Sequence, residues 1–371
     1  MNRLISTFKK FREETFLALA TIFLTGVLGL IIVESYYWNS SSVCEICQFH
    51  PELGWETIPS NTVTNGKITY TTNSMGIRST EVDPSREHIL ILGDSVAFGL
   101  GVNNNETVSH YLEQDKRIGE LGYQVLNMGV PGYGIGQYYL NLKRNIDQLN
   151  SKLIILILYT TNDLQETRQD NRFGISKPIL VYRDDNLINL NQNISRFSCL
   201  NLRTRLRFTK FLIGNCKSNV IETNKASISI SFIIDEIRRL GIQKNIPTLV
   251  VLSPAQINVE MINCEQTKSL NSCIGYDDFF DVLYRYFQKL VESNKVPYID
   301  FLTHLVEYSK EQPISSLYGK GDIHHYSPKG NYILAQTIAN RLATDFDLNK
   351  LAPFSIPNNL ITIKKKKINL K

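Results

Sequence analysis

The sequence predicts a three-layer α/β/α, flavodoxin-like fold with a mainly parallel five-stranded sheet, preceded by one N-terminal transmembrane helix. Two observations predict it. From residue 88 onward, short apolar runs alternate with amphipathic helical patterns, and near-continuous apolar strands of this kind belong to parallel sheets covered on both faces by helices. Before them, residues 16–33 form a stretch of 18 residues without a charge, which is close to the length that spans a bilayer.

The N-terminal segment predicts a signal-anchor helix over residues 16–38, after a cytoplasmic N-terminus of residues 1–15. Basic residues precede the apolar stretch and then do not recur until Lys67; they are Arg3, Lys9, Lys10 and Arg12. The positive-inside bias therefore places the rest of the chain outside the cytoplasm, in the periplasm or at the cell surface. A cleaved signal peptide is the alternative, but the stretch is longer than the usual apolar region and no A-x-A-like site follows.

Residues 39–87 are polar and rich in turn residues, which predicts a stalk and an N-terminal extension packed on the following domain. That domain is predicted over residues 88–350, with an insertion at 165–225 that interrupts the alternation and forms a lid or one wall of a cleft. Residues 351–371 are predicted to be a basic, solvated tail.

The elements of the domain are assigned in order from their apolar patterns. The predicted strands are 88–93, 123–129, 152–159, 248–254 and 296–301. The predicted helices lie near 107–121, 136–149, 226–243, 277–294 and 328–345.

Charge and cysteine content restrict the partners and the compartment. The net charge of +5 includes a run of lysines at 364–367, and no basic face or nucleic-acid motif accompanies it, so nucleic acid is not an expected partner. Cys199 with Cys216, and Cys264 with Cys273, are spaced to close short loops in an oxidising compartment. The pair Cys44 and Cys47 favours a local disulfide or free thiols over a metal site, because only His50 lies nearby.

The first strand of the domain ends in Gly93-Asp94-Ser95. In an open parallel sheet, chemistry gathers where loops leave the carboxyl ends of strands. Ser95 is therefore placed in a tight turn before a helix, with its hydroxyl presented outward as a nucleophile and its N–H near a developing oxyanion. The alternative is a simple helix cap, which serine also favours, but a cap does not account for the partner residues below.

A serine nucleophile needs a base, and the stretch "GDIHHYSPKG" supplies one. Asp322 precedes His325 by three residues, so its carboxylate is placed to orient the imidazole while the other ring nitrogen faces the serine. His324 is the alternative base, and its spacing of two residues from Asp322 favours it less.

Four blocks together resemble the SGNH (GDSL-type) hydrolase family over residues 88–345. They are "GDSVAFG", "NMGVPGYG", "YTTNDL" and "DIHHYSPKG", in the family's order. The resemblance implies a Ser-His-Asp triad of Ser95, His325 and Asp322. It also implies an oxyanion hole formed by the N–H groups of Ser95 and Gly132 and the side-chain amide of Asn162. The upstream "HPELGW" and "NSMGIRS" resemble the exported bacterial branch.

The expected function is a membrane-anchored, extracytoplasmic serine esterase that acts on a short-chain or acetyl ester of a glycan or lipid, with no metal or organic cofactor. One alternative keeps the site but transfers the acyl group to a cell-envelope polysaccharide. Another is a catalytically silent, tethered protein that binds envelope glycans.

Overall fold

A long apolar helix opens the chain in the computed structural model, which describes residues 2–40, 44–172, 175–184, 186–194, 220–267 and 278–345. This helix, α1, runs over Asn2–Ser40 and contains the predicted anchor segment. Within it, Glu14–Ile32 is long and apolar enough to cross a membrane, and none of that stretch is buried against the rest of the chain. Among the described residues it is the only helix that passes this test.

Two antiparallel hairpins follow α1. Strand β1 (Cys47–His50) pairs with β2 (Gly54–Thr57), and β3 (Thr62–Asn65) pairs with β4 (Ile68–Thr71). A disulfide joins Cys44 to Cys47 at the start of the first hairpin, so this cysteine pair is a local cross-link. Trp55 of β2 is completely buried, which shows that the first hairpin packs against the domain.

Five parallel strands form the central sheet. They are β5 (His88–Leu92), β6 (Gln124–Asn127), β7 (Ser151–Tyr159), β12 (Thr248–Ser253) and β13 (Tyr298–Asp300). Their spatial order is β13-β12-β7-β5-β6. In chain order this is 2-1-3-4-5 read from the β6 edge, the flavodoxin-like arrangement. Every residue of β5 and β12 is buried, as a strand covered on both faces requires. The predicted fold class is confirmed.

Helices cover both faces of the sheet. After α1 they are α2 (Ser95–Phe98), α3 (Val108–Gln114), α4 (Lys116–Gly119), α5 (Ile135–Asn145), α6 (Asp163–Arg168), α7 (Thr223–Gln243), α8 (Gln256–Thr267), α9 (Asp278–Ser293), α10 (Phe301–Ser309) and α11 (Pro328–Asp345). Helix α3 packs against α11, and α5 packs against α7.

The observed bounds differ from the predicted ones in several elements, and two of the differences have a clear cause. The helix predicted near 107–121 is divided into α3 and α4, because the Asp115 side chain accepts the N–H of Arg117 and begins a new helix. The strand predicted at 296–301 is shortened, since Asp300 caps α10 through the N–H of Thr303. In both places an aspartate at a helix start overrides the apolar pattern.

The predicted insertion is described only in part. It contains two further hairpins, β8 (Asn171–Arg172) with β9 (Ile175–Ser176) and β10 (Leu180–Arg183) with β11 (Asn186–Asn189). Cys264 in α8 is disulfide-bonded. Residues 195–219, Cys199, Cys216, Cys273 and the tail 351–371 lie outside the described residues.

Candidate active site

The turn after β5 presents Ser95 at the carboxyl edge of the sheet. Asp94 is the N-cap of α2, and its Oδ1 accepts the Val96 N–H at 2.9 Å. This carboxylate fixes the start of the helix, because it satisfies one of the amide groups that the first turn leaves unpaired. Asp94 is buried, whereas Ser95 keeps partial contact with solvent. The turn therefore exposes the hydroxyl of Ser95 and buries the carboxylate that supports it.

The structure brings Ser95, His325 and Asp322 together. Ser95 Oγ lies 2.8 Å from His325 Nε2, and His325 Nδ1 lies 2.6 Å from Asp322 Oδ2. The other oxygen, Asp322 Oδ1, accepts the N–H groups of His324 at 2.8 Å and His325 at 3.1 Å. Burial raises the pKa of Asp322, but these hydrogen bonds outweigh it and hold the pKa below the usual value.

The charge state of Asp322 determines the tautomer of His325. An ionised carboxylate can only accept, so Nδ1 of His325 carries the hydrogen and Nε2 is left to accept the hydroxyl hydrogen of Ser95. The three groups thus form a chain in which a proton can move from Ser95 to His325 while Asp322 compensates the new charge.

His324, the alternative base, makes a different contact. Its Nδ1 lies 2.6 Å from the hydroxyl of Tyr159 at the end of β7. Burial lowers the pKa of His324, so it favours the neutral form near neutral pH. The structure thus pairs His324 with Tyr159 and His325 with Ser95.

Asn162 lies at the same edge of the sheet, between β7 and α6. Its Nδ2 donates to Asp94 Oδ2 at 3.0 Å. An amide nitrogen carries two hydrogens, so one N–H is fixed by Asp94 and the second remains. Asp94 therefore supports both the turn of Ser95 and the side chain of Asn162.

Gly132 lies in a tight turn that follows β6. The Val130 N–H donates to Gly93 O at 3.1 Å, so the turn leaves the sheet beside the Ser95 loop, and the Tyr133 N–H closes the turn on Val130 O at 3.2 Å. Gly132 has φ +77°, the backbone that position i+2 of a type II turn requires. Within the described residues, the N–H groups of Gly132 and Ser95 have no hydrogen-bond acceptor.

Several buried ionisable side chains near this edge of the sheet form hydrogen bonds with one another. Asp163 Oδ1 accepts the Tyr138 hydroxyl at 2.6 Å, and Lys177 Nζ donates to Glu166 Oε2 at 2.8 Å. Burial raises the pKa of Asp94, and burial together with the charge of Asp94 raises the pKa of Asp163 well above its usual value. Two carboxyl groups in one dry region do not both ionise readily, so Asp163 keeps its proton to a higher pH than a free aspartate does.

Two residues of the extension support the site, and the sequence did not identify either. Arg78 donates to the carbonyls of Phe98, Gly99 and Val102 just after α2. Trp55 Nε1 donates to Pro131 O at 2.9 Å in the turn of Gly132. They lie in the stretches "NSMGIRS" and "HPELGW". The acceptors are backbone carbonyls, which leave no residue pattern in the sequence.

A groove of about 700 Å³ opens beside the triad. Asp322 and His325 form one side of it, together with the Leu100–Gly101 corner. Its other lining residues include Gln256, Ser315, Lys320 and Ile323. The groove mixes apolar side chains with hydroxyl, amide and ammonium groups, so it offers hydrogen bonds as well as apolar contact.

Comparison with known proteins finds likeness only among solved structures. No protein-family model matches the chain. No curated protein is similar to it. A member of the lipolytic protein G-D-S-L family from Veillonella parvula is 13% identical over 70% of this chain and 99% of that chain, with a TM-score of 0.39.

Two esterases are similar to the same extent. An acetyl xylan esterase from Geobacillus stearothermophilus is 14% identical over 70% of this chain and 96% of that chain, with a TM-score of 0.40. A psychrotrophic esterase from Pseudoalteromonas is 10% identical over 69% of this chain and 96% of that chain, with a TM-score of 0.38. Since these identities and TM-scores are low, the proposals below rest on contacts within this chain.

Proposed function

We propose that this chain is a serine esterase of the SGNH (GDSL) type that hydrolyses acyl esters through a covalent acyl-enzyme. The observation that carries the proposal is the 2.8 Å contact between Ser95 Oγ and His325 Nε2, with Asp322 bonded to the far nitrogen of the same ring. A helix cap would not need this contact. Nucleophile, base and orienting carboxylate in one chain of hydrogen bonds are the arrangement that acyl transfer requires.

In the first half of the reaction, Ser95 Oγ attacks the carbonyl carbon of the ester while His325 Nε2 takes its proton. The carbonyl oxygen becomes an oxyanion, and the N–H groups of Ser95 and Gly132 together with the Asn162 amide donate to it. His325 then gives the proton to the departing alcohol, and the acyl group stays on Ser95. In the second half, His325 takes a proton from water, the hydroxide attacks the acyl carbon, and the proton returns to Ser95 as the carboxylic acid leaves.

The groove beside His325 supports a bulky alcohol part of the ester. His325 hands its proton to the leaving oxygen and also lines the groove, so we place the alcohol part of the ester in the groove. A groove of about 700 Å³ is large enough for a sugar or a lipid headgroup. The substrate class that follows is a short-chain ester of a large polar alcohol.

The proposed location is the outer side of a membrane, with α1 as an uncleaved anchor. Large apolar side chains of α1 are exposed, among them Phe16 at 73% and Phe23 at 72%. Such exposure is costly in water and favourable in a bilayer. The basic residues that precede the apolar stretch place the N-terminus in the cytoplasm and the domain outside it.

The test is hydrolysis of nitrophenyl acetate by the full chain in detergent micelles. The wild type is expected to turn over, Ser95→Ala to lose activity, and Asn162→Ala to lose about 100-fold in kcat, as removal of one oxyanion donor does elsewhere. Ser85→Ala, an exposed serine, is the matched control and keeps wild-type activity. A wild-type chain without turnover, or a Ser95→Ala variant as active as the wild type, would contradict the proposal.

The same assay with an added polysaccharide separates hydrolysis from transfer. A hydrolase releases the acyl group to water whether or not the glycan is present. Acyl groups that appear on the glycan at the expense of free acid would assign the alternative transferase function, since the acyl-enzyme is common to both reactions.

A further inference from the structure

Trp55 of the first hairpin exchanges two hydrogen bonds with the turn of Gly132. Trp55 Nε1 donates to Pro131 O at 2.9 Å, and the indole is completely buried. The Tyr133 hydroxyl donates in return to Trp55 O at 2.5 Å. The two rings are tilted, with centroids 5.8 Å apart. These contacts tie the hairpin to both the middle and the end of the turn.

The acceptor of this bond belongs to the peptide unit that carries the Gly132 N–H. Pro131 C=O and Gly132 N–H lie in one rigid plane, and in a trans peptide they point in opposite directions. A type II turn differs from a type I turn by a reversal of this central peptide. At φ +77° Gly132 adopts the type II form. Whatever holds Pro131 O in place therefore also determines the direction of the Gly132 N–H.

We propose that Trp55 is a positioning residue that holds the peptide 131–132 so that the Gly132 N–H faces the reacting carbonyl. The inference rests on the proposed esterase function and assigns part of the oxyanion hole to the N-terminal extension. A buried hydrogen bond to the carbonyl end also polarises the peptide and strengthens its N–H as a donor. The turn sequence alone does not secure this geometry, because glycine populates either backbone form freely.

Other contacts hold the hairpin without touching Pro131. Gln137 Nε2 donates to Leu53 O at 2.7 Å, and Arg144 Nη1 donates to Glu56 Oε2 at 2.7 Å. The docking of the hairpin and the bond to Pro131 can therefore be perturbed separately. Arg144→Gln weakens the docking and leaves Trp55 Nε1 in place, which makes it the matched control.

The experiment compares Trp55→Phe with Arg144→Gln in the full chain. Phenylalanine keeps an aromatic ring in the buried site but has no N–H. We expect kcat for nitrophenyl acetate to fall about 10-fold with KM within 2-fold, because only transition-state binding is lost. The affinity for a trifluoromethyl ketone, which forms a tetrahedral adduct on the serine, falls by the same factor. Arg144→Gln keeps wild-type kcat, KM and ketone affinity.

The inference is overturned if Trp55→Phe lowers the Tm but keeps kcat and ketone affinity within 2-fold of wild type, since the indole would then only stabilise the fold. If Trp55→Phe does not fold, Tyr133→Phe carries the test, because it loosens Trp55 through its backbone. A kcat loss at constant KM in that variant supports the inference, and unchanged kcat overturns it. Absence of turnover in the wild type overturns the proposed function as well, so the two failures are distinguishable.

Discussion

The surroundings of three carboxyl groups near Ser95 shift their pKa values in opposite directions. Asp322 is 39% exposed and hydrogen-bonded, and the pKa of its carboxyl lies below its usual value. Asp94 and Asp163 are fully buried, and burial raises the pKa of each. Environments that separate the pKa values of neighbouring acids are how a site assigns them different tasks. Asp322 is therefore placed to orient His325 as an anion, while Asp163 keeps its proton to a higher pH than a free aspartate does.

The raised pKa of Asp163 predicts a pH-dependent effect of Asp163→Asn on stability. The unfolded chain loses this proton near pH 3.8, but the folded chain keeps it to a much higher pH. The stability contribution of Asp163 is therefore complete below that unfolded value and is lost as the pH rises toward the folded pKa. Asparagine does not titrate, so the Tm of Asp163→Asn relative to wild type should rise as the pH increases above the unfolded value.

Differential scanning fluorimetry across this pH range measures the effect. Asp184→Asn, on an exposed loop, is the control and should show a constant difference from wild type. The same Tm difference at every pH for Asp163→Asn would mean that Asp163 is ionised in the folded chain.

At the scale of elements, Ser95 begins a helix that is too short to be stable by itself. Helix α2 has four residues, far fewer than an isolated helix needs in water. Arg78 stabilises the C-terminal end of α2. It donates hydrogen bonds to Phe98 O at 2.8 Å and to Gly99 O and Val102 O at 2.6 Å each. The guanidinium also lies over the rings of Tyr70 and Phe98, 4.7 and 4.5 Å from their centroids. The extension thus stabilises the turn of Ser95 through Arg78, as it does the turn of Gly132 through Trp55.

Arg78→Lys should lower the free energy of unfolding by about 2 kcal/mol. An ammonium on a flexible stem cannot reproduce the planar fork that reaches three carbonyls, and a buried carbonyl left without a donor is costly. Urea unfolding followed by circular dichroism measures the loss. Arg239→Lys, with a side chain that is 56% exposed, serves as the reference and should change by less than about 0.5 kcal/mol. An equally small change for Arg78→Lys would show that the carbonyls find other donors.

The sequence predicted the elements whose signals are local. The five strands are near-continuous apolar runs, the blocks around Ser95 and Asn162 follow directly from strand ends, and the block around His325 precedes the last helix. Three short helices, α6, α8 and α10, were missed because they follow strand ends without an apolar repeat long enough to identify. Arg78 and Trp55 were missed because each recognises backbone carbonyls remote in sequence. The spacing from Asp322 already favoured His325 over His324 as the base, and the folded loop places His325 Nε2 beside Ser95 Oγ.

At the scale of the whole molecule, a packed α/β domain is joined to an unpacked apolar helix. The domain buries its apolar strands between helices, whereas none of Glu14–Ile32 is buried. The two hairpins between these parts contact the turns of the candidate site, the first through Trp55 and Pro131 and the second through Tyr70 and Phe98. The extension therefore contributes to the candidate site.

If α1 is an uncleaved membrane anchor, as proposed, the chain purified from membranes should keep its N-terminus. Intact-mass spectrometry of the detergent-extracted protein should give the full 42.4 kDa chain, because a helix that spans the bilayer without a cleavage site is retained. Before the detergent extraction, the membranes are washed with alkaline carbonate to remove peripheral proteins. A shorter chain that begins after the apolar stretch would instead identify a cleaved signal peptide.

The most direct test of the central claim is covalent labelling of the full chain with a fluorophosphonate. A triad serine attacks phosphorus and fluoride leaves, so mass spectrometry of the digested protein should find the phosphonyl group on Ser95. His325→Gln should slow this labelling by more than about 100-fold, since the serine loses its base. An adduct absent from Ser95 in the wild type, or a labelling rate that His325→Gln leaves unchanged, would contradict the account.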